Sequence, residues 1–392
     1  MSEDAVIVAA ARTPIGRFGG AFSDLPATAL GAVAVRAVIE RSGVDPAAID
    51  DVLIGQVLQA GAGQNPARQS AVGGGIPHAV PAMTINQVCG GGQRTLHLAA
   101  QAIRLGDADI VLAGGQDSMT RAPHLLPQSR AGFKMGEVTM QDAMMVDGLI
   151  DAFNNVHMGV TAERLARKYQ ITRDEQDQFA LASQQKAAAA MAAGRFTEEI
   201  VPVEVRRKRG SIVVEHDEHP RADTTPEQLA ALRPIFDPEG SVTAGNSSGL
   251  NDGAAALLVM SARRARQLGL EPLVRIASYA SAGVDPMEMG LGPVPATRAA
   301  LDKAGWKAAD LDLIELNEAF AAQSLAVSRE LGFDPARINV NGGAIALGHP
   351  LGGSGARLVV TLVHEMRKRD AHKGLATMCI GGGQGVAICL AR

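Results

Sequence analysis

The chain of 392 residues is too long for a single hydrophobic core, so we expect two or three domains. Hydrophobic residues make up 46% and charged residues 20% of the chain, which is typical of a globular protein, and the net charge of −4 argues against nucleic-acid binding. Three cysteines are too few for a disulfide framework. No apolar run reaches membrane-spanning length and the acidic N-terminal segment does not resemble a secretory signal, so we expect a cytoplasmic protein without membrane partners.

Strands and helices alternate over the first part of the chain. The pattern predicts strands at 5–11, 51–58, 80–88 and 109–113, and helices at 27–42, 65–73 and 93–105. This alternation indicates an α/β fold with a mainly parallel sheet and crossover helices. The turn Arg12-Thr13-Pro14-Ile15-Gly16 after the first strand lacks the G-x-G-x-x-G spacing of dinucleotide sites.

The same order of elements returns in the last third of the chain. Strands are predicted at 254–260, 273–279, 311–316, 338–341, 375–380 and 386–390, and helices at 295–304, 319–331 and 356–368. We interpret this order as two duplicated α/β halves. The predicted N-terminal half comprises residues 1–119 and 250–268, and the predicted C-terminal half comprises residues 269–392.

The segment between the halves, residues 120–249, has loops rich in proline and glutamine, two polar helices (160–169 and 173–193) and a hairpin near Arg209-Gly210. It is too long for a loop, so we expect an inserted subdomain that contributes to ligand binding and assembly.

Cys89 lies where an extended run meets three glycines and then a helix. The free N–H groups and positive dipole end of a helix favour a thiolate, so the position predicts a cysteine with a lowered pKa. A buried core cysteine beside a tight turn is the alternative for this stretch alone.

Five motifs in one order resemble the thiolase family. They are Asn86-x-x-Cys89-Gly90, Asn246-Ser247-Ser248-Gly249-Leu250-Asn251-Asp252-Gly253, Asn317-Glu318-Ala319-Phe320, Gly342-Gly343-Ala344 with Gly348-His349-Pro350, and Cys379-Ile380-Gly381-Gly382-Gly383. Two positions depart from the family pattern: Gly91 stands where serine is usual, and Gln93 where an apolar residue is common.

The resemblance implies a layered α-β-α-β-α fold and the reversible condensation of two acetyl-CoA molecules to acetoacetyl-CoA. It assigns Cys89 as the acyl carrier, His349 as the acceptor of its proton, and Cys379 as the base for the α-proton of the second substrate. His349 and a water held by Asn317 form one oxyanion site. The backbone N–H groups of Cys89 and Gly381 form the other.

The resemblance also implies a groove for coenzyme A and a small acyl cavity. Ser248 and Ala244 are expected along the pantetheine arm, Arg221 and Phe236 near the nucleotide, and His157 and Met158 beside the acyl group. Met289 and Phe320 are expected to close the cavity, and Leu149 and Ala319 complete the predicted substrate contacts. Acetyl-CoA, acetoacetyl-CoA and CoA are expected as substrates, with no separate cofactor, in a homotetramer.

Three other interpretations compete with this one. A thiolase of broader chain length would share all the motifs. A ketoacyl synthase would use a Cys-His-His set, which Asn317 and Cys379 disfavour. A non-catalytic acyl-CoA carrier would not need Cys89, Asn317, His349 and Cys379 together. The run 206–209 is interpreted as a solvated hairpin edge, and His216 and His219 as loop residues without a metal.

Overall fold

The computed structural model describes residues 3–208 and 210–392. Its strands are β1 (Ala5–Arg12), β2 (Gly16–Arg17), β3 (Asp51–Gly55), β4 (Ala82–Ile85), β5 (Ile110–Ser118), β6 (His124–Leu125), β7 (Gln141–Asp142), β8 (Val203–Arg207), β9 (Gly210–Val214), β10 (Asn251–Ser261), β11 (Val274–Gly283), β12 (Leu313–Leu316), β13 (Lys373–Ile380) and β14 (Gln384–Ala391).

Its helices are α1 (Ala27–Ser42), α2 (Pro66–Gly73), α3 (Gly91–Leu105), α4 (Met158–Lys168), α5 (Arg173–Ala192), α6 (Pro226–Ala230), α7 (Ala262–Gln267), α8 (Pro293–Ala304), α9 (Ala321–Leu331), α10 (Ala344–Leu347) and α11 (Leu351–Lys368). No helix among the described residues combines the length and the apolarity needed to cross a bilayer.

The main sheet has the strand order β12-β13-β14-β11-β1-β10-β5-β3-β4, with β2 beside β10. The sequence predicts mainly parallel pairing. Parallel ladders join β12 to β13 at one end and β5, β3 and β4 at the other, whereas the ladders between them are antiparallel. The antiparallel β13–β14 pair follows from its short glycine turn, since so tight a connection cannot join parallel strands.

The two halves meet where β1 pairs with β11 through only two residue pairs, Val6 with Arg275 and Ile7 with Val274. Three apolar cores produce the predicted layers. Helices α1 and α2 cover the N-terminal strands on one side, α8 and α9 cover the C-terminal strands on the other, and α3 and α11 lie between the strands of both halves. The layered α/β architecture is therefore confirmed.

The inner layer depends on glycines that bring α3 and α11 into backbone contact. A Cβ atom on Gly92 would lie 2.6 Å from the carbonyl oxygen of Gly352, and one on Gly355 would lie 2.4 Å from the backbone nitrogen of Gln93. A Cβ atom on Gly115 of β5 would lie 2.0 Å from the same Gly352 oxygen. The first turns of these helices can approach so closely only because the side chains are missing.

Two predicted elements differ from the structure. The helix predicted at 356–368 begins earlier, at Leu351, and includes the glycine-rich stretch 352–355. The strand predicted at 338–341 is wrong: Asn339 has a φ of +43°, and its side-chain amide bonds the backbone N–H and C=O of Leu316 at 2.9 and 2.8 Å. An amide side chain thus covers the edge of β12 where a strand was expected.

The segment 120–249 contains α4, α5, α6 and two short hairpins, β6–β7 and β8–β9. The predicted hairpin is present around Gly210, and Arg209 lies outside the described residues. The proposed division into residues 1–119 with 250–268, 120–249 and 269–392 stays a prediction.

The helix contact makes a specific prediction for unfolding in urea. Replacing Gly92 by Ala should lower the free energy of unfolding by roughly 1–3 kcal/mol, because the new methyl group collides with the backbone of α11. The matched control is Gly91→Ala in the same turn. The Cβ atom of this variant would lie 3.4 Å from its nearest neighbours, so the urea midpoint of the variant should stay close to that of the parent. Equal midpoints for the two variants would contradict the argument.

Candidate active site

A cavity of about 430 Å³ opens between the two halves and the inserted segment. All predicted site residues except Asn317 lie in its wall: Cys89, Leu149, His157, Met158, Arg221, Phe236, Ala244, Ser248, Met289, Ala319, Phe320, His349, Cys379 and Gly381. Residues far apart in the sequence therefore surround one space. Their individual roles stay predictions.

Cys89 is held by a strained turn at the entrance to α3. The preceding residue, Val88, has a φ of +43°, a conformation that β-branched residues rarely adopt. Its backbone N–H donates to the side-chain oxygen of Asn86 at 2.9 Å, and the N–H of Gly90 donates to the carbonyl of Gln87 at 3.0 Å. The motif asparagine thus fixes the turn that presents the sulfur to the cavity.

The expected lowering of the Cys89 pKa is wrong for this state of the site. Burial raises the pKa of the thiol to about 11, and the backbone N–H of Gly381, aimed at the sulfur, opposes the rise. Desolvation outweighs the helix end because Cys89 sits in a largely apolar wall. The thiol therefore keeps its proton near neutral pH and needs a base to become a nucleophile.

His349 has the properties of such a base. Burial lowers its pKa to about 4, with a smaller effect from the Arg357 guanidinium, so the imidazole is neutral over the ordinary pH range. Its backbone N–H donates to the side chain of Asn251 at 2.9 Å, and its Nδ1 lies 2.6 Å from the hydroxyl oxygen of Ser354. Both the backbone and the ring of this histidine are therefore held in place.

Cys379 is the penultimate residue of β13 and is buried in the same cavity wall as Cys89. Burial raises its pKa above the ordinary thiol range, and repulsion from an ionised Cys89 raises it further. Two thiolates in the same buried wall would repel each other, so the pair favours one thiolate at a time. Gly382 and Gly383 follow with φ values of +82° and +84°, which lets the turn bring the Gly381 N–H back to Cys89.

Asn317 lies behind the wall at the end of β12 and is fully buried. Neither its side-chain oxygen nor its side-chain nitrogen has a hydrogen-bond partner among the described residues. A buried amide without partners is costly, so this one is suited to hold a water or a ligand atom. That environment agrees with the predicted water, whose position stays a prediction.

The part of the cavity wall where the acyl group is predicted to lie is apolar. Met158, Met289, Ala319 and Phe320 pack with Cys379 in one cluster. Beside them, the rings of His157 and Phe236 stack with centroids 4.5 Å apart. The Nδ1 of His157 accepts from the Gly159 N–H at 3.0 Å, which leaves the proton of the neutral ring on Nε2 as a donor.

The other end of the cavity is open and more polar. Ser248 is positioned by its backbone N–H, which donates to the carbonyl of Ala319 at 3.0 Å. Arg221 and Ala244 also line a second, adjoining cavity, so the two spaces form a continuous groove leading out from Cys89. A groove of this kind suits a long, flexible ligand with a charged end.

Sequence reasoning missed several wall residues. Among them are Met119, Met145, His219, Ile235, Leu250 and Leu351. The sequence predicts His219 as a loop residue, and it does lie in a loop; there it lines both cavities, and burial lowers its pKa to about 4. Its position two residues before Arg221 is the available signal. Leu250 lies within a quoted motif and Leu351 directly after one, so considering every motif residue and its next neighbour could have found them.

Asp117 is a further missed residue, and it anchors the floor of the site. Its carboxylate accepts from the backbone N–H groups of Val57, Leu58 and Gly352 at 3.1, 3.1 and 2.7 Å. Burial raises its pKa to about 6. These bonds tie the loop after β3 to the beginning of α11, directly after His349.

Of the two departures from the family pattern, only Gln93 is explained by local packing. A Cβ atom on Gly91 would lie 3.4 Å from the backbone of Gly55, an ordinary contact, so nothing in the structure explains glycine at this position. Gln93 is fully buried and donates from Nε2 to the carbonyl of Ala376 at 2.9 Å, which bridges α3 to the C-terminal half.

Two family models match almost the whole chain. The model described as "Thiolase, N-terminal domain" covers residues 5–263, and "Thiolase, C-terminal domain" covers residues 270–392. An acetyl-CoA acetyltransferase of Pseudomonas aeruginosa is 62% identical over 391 residues, which is 100% of both chains.

Solved structures agree in fold. The crystal structure of the Bacillus anthracis acetyl-CoA acetyltransferase superposes with a TM-score of 0.98 at 44% identity, over 100% of this chain and 99% of that one. The structure of human mitochondrial 3-ketoacyl-CoA thiolase gives a TM-score of 0.96 at 45% identity, over 99% of this chain and 98% of that one. With both family models matched in order and relatives similar over their full length, the chain belongs to the thiolase family.

Proposed function

We propose that this protein is an acetyl-CoA C-acetyltransferase that reversibly condenses two acetyl-CoA molecules to acetoacetyl-CoA and CoA. The observation that carries the proposal is the shared cavity wall of Cys89, Cys379 and His349. A carbon–carbon bond between acyl groups needs a covalent carrier and a base for a C–H proton, and two thiols with one imidazole supply them.

In the first half-reaction, the Cys89 sulfur attacks the thioester carbon of acetyl-CoA. His349 takes the thiol proton and returns it to the departing CoA sulfur, so that the products are acetyl-Cys89 and CoA. The N–H groups of Cys89 and Gly381 stabilise the developing oxyanion. Fixed donors of this kind are worth roughly 2.7–4 kcal/mol of barrier each.

In the second half-reaction, the Cys379 thiolate removes the α-proton of a second acetyl-CoA. Acetyl-Cys89 cannot ionise, so no second thiolate opposes the ionisation of Cys379, whose proton passes to the neutral His349 imidazole. The enolate attacks the acetyl carbon, and Cys89 leaves as a thiolate that receives the proton held by Cys379. His349 then returns the first proton to Cys379. The pair thus exchanges one proton, and thiolysis is the same path reversed.

The apolar cluster around Met158 supports a preference for short, unbranched acyl chains. A thiolase with a broader chain-length range is the second candidate, because one of the similar structures is a 3-ketoacyl-CoA thiolase. CoA thioesters would be the substrates, with no separate cofactor. The homotetramer and the cytoplasmic location stay predictions.

The covalent role of Cys89 can be tested with labelled acetyl-CoA. Cys89→Ser should abolish both acetyl-enzyme formation and acetoacetyl-CoA thiolysis, because a serine hydroxyl is a far weaker nucleophile than a thiol beside a neutral imidazole. Cys389→Ser is the matched control, since Cys389 is a buried cysteine of β14 outside the cavity wall. Label retained by Cys89→Ser, after trapping and mass spectrometry, would refute the role.

The base role of His349 predicts a distinctive pH dependence of Cys89 alkylation by iodoacetamide. With His349 present, the rate at neutral pH should be high and should fall only as the imidazole protonates, near pH 4. In His349→Ala the thiol must ionise alone, so the rate should be low at pH 7 and approach that of the parent only near pH 11. Superimposable profiles would count against the assignment.

The role of Met158 can be tested with 3-oxoacyl-CoA substrates of increasing length. Met158→Ala should raise kcat/KM for C6 and C8 chains relative to C4, because it removes a buried side chain from the acyl end. Met260→Ala, in the core of β10, serves as the control: it opens a comparable void without touching the cavity. An unchanged C8-to-C4 ratio in Met158→Ala would show that other residues limit chain length.

A further inference from the structure

The proposed chemistry places a strict demand on His349. To accept the Cys89 proton, the ring must present an unprotonated nitrogen to the cavity. A neutral imidazole has one N–H and one lone pair, so only one of its two tautomers meets the demand. The partner of the other ring nitrogen decides which tautomer is present.

That partner is the hydroxyl of Ser354, one turn into α11. The His349 Nδ1 lies 2.6 Å from the Ser354 oxygen, and this oxygen lies 2.9 Å from the carbonyl oxygen of Pro350. Ser354 is 1% exposed, so bulk water does not compete for these bonds.

One proton on the hydroxyl must serve two short contacts. If the hydroxyl donated to Nδ1, its oxygen would face the Pro350 carbonyl oxygen at 2.9 Å with no hydrogen between them. Two lone-pair-bearing oxygens repel at that distance. If the hydroxyl instead donates to Pro350, its free lone pair accepts an N–H from Nδ1, and both contacts are satisfied.

The second ring nitrogen then has a free lone pair. Nε2 makes no hydrogen bond with any residue in the described part of the chain, and His349 lines the same cavity as Cys89 and Cys379. Asn251 fixes the backbone of the same residue through the 2.9 Å bond from the His349 N–H. The backbone position of His349 and the orientation of its ring are therefore both fixed.

We propose that Ser354 is a positioning residue for catalysis: its hydroxyl, anchored on the Pro350 carbonyl, keeps the proton of neutral His349 on Nδ1 and directs the Nε2 lone pair to Cys89. The inference rests on the proposed function for its catalytic consequence, whereas the tautomer is a property of the free protein. After proton transfer, the Ser354 oxygen also stabilises the imidazolium, because Nδ1–H still donates to it.

The tautomer can be read directly by 15N NMR of protein labelled in histidine, with the His349 signals identified by their loss in His349→Ala. The parent should show a protonated Nδ1 and an unprotonated Nε2 at neutral pH. In Ser354→Ala the Nδ1 proton loses its acceptor, so the spectrum should shift toward the Nε2-protonated form or a mixture. A parent spectrum with the proton on Nε2 would overturn the proposal.

Kinetics test the consequence. Ser354→Ala should lower kcat for acetoacetyl-CoA thiolysis by roughly 10- to 100-fold, less than the full 10²–10⁴ contribution typical of a general base, with KM changed less than about threefold. Ser354→Cys keeps a side chain of similar size with a weaker acceptor and should fall between parent and Ala. It also serves if the alanine variant does not fold.

The matched control is Thr361→Val, which removes a buried hydroxyl two turns further along α11, where it bonds Glu199 at 3.1 Å. Its kcat and histidine spectrum should match the parent. Equal kcat values for Ser354→Ala, Thr361→Val and the parent would refute the positioning role. A parent without turnover but with the expected Nδ1 proton would instead refute the proposed function and leave the tautomer assignment standing.

Discussion

The site depends on the backbone contact between the first turns of α3 and α11. Cys89 lies just before α3 and His349 just before α11, so the distance between the two chemical groups is set where these helices touch. The contact is made by Gly92 and Gly355, at which any Cβ atom would overlap backbone atoms of the opposite helix. Glycine matters here because it has no side chain, which lets the two halves approach closely; its conformational freedom is secondary.

Polar groups then lock what the glycines allow. Asp117 binds the N–H of Gly352 at 2.7 Å, and Asn251 binds the N–H of His349 at 2.9 Å, so two consecutive turns of chain are fixed by buried side chains from the N-terminal half. The Gly381 N–H, supplied by the C-terminal half, reaches the Cys89 sulfur. Each half thus completes the other, which explains why the chemistry lies at the junction and in neither half alone.

The same junction explains how two thiols with raised pKa values can take part in acid–base chemistry. Desolvation raises the pKa of both thiols and so keeps them protonated at rest. A thiolate with a raised pKa is also a stronger base or nucleophile once it has formed. In the proposed mechanism the neutral His349 ring is the proton acceptor, because burial disfavours its charged form. The sequence predicts that the helix end lowers the pKa of Cys89, which would make its thiolate a weaker base. The apolar wall raises that pKa instead.

Local patterns were enough to predict α1 over residues 27–42 and the junction at Cys89, because periodicity and glycine signals are written in adjacent residues. The predicted cavity residues came from resemblance, since nothing local relates Cys379 to Cys89. What could not be predicted depends on contacts distant in sequence: the use of Gly352 and Gly355 inside a helix, the Asn339 side chain in place of a strand, and His219 in the cavity wall.

Ser354 illustrates this limit most clearly. In the sequence it reads as a small polar residue between glycines, and helix propensity gives no reason for its presence. Its function follows only from three atoms in a row, the Nδ1 of His349, its own hydroxyl oxygen and the carbonyl oxygen of Pro350, at 2.6 and 2.9 Å. Because a hydroxyl carries one proton, the spacing of those atoms fixes where the proton of the imidazole must be, and hence which nitrogen can act on Cys89.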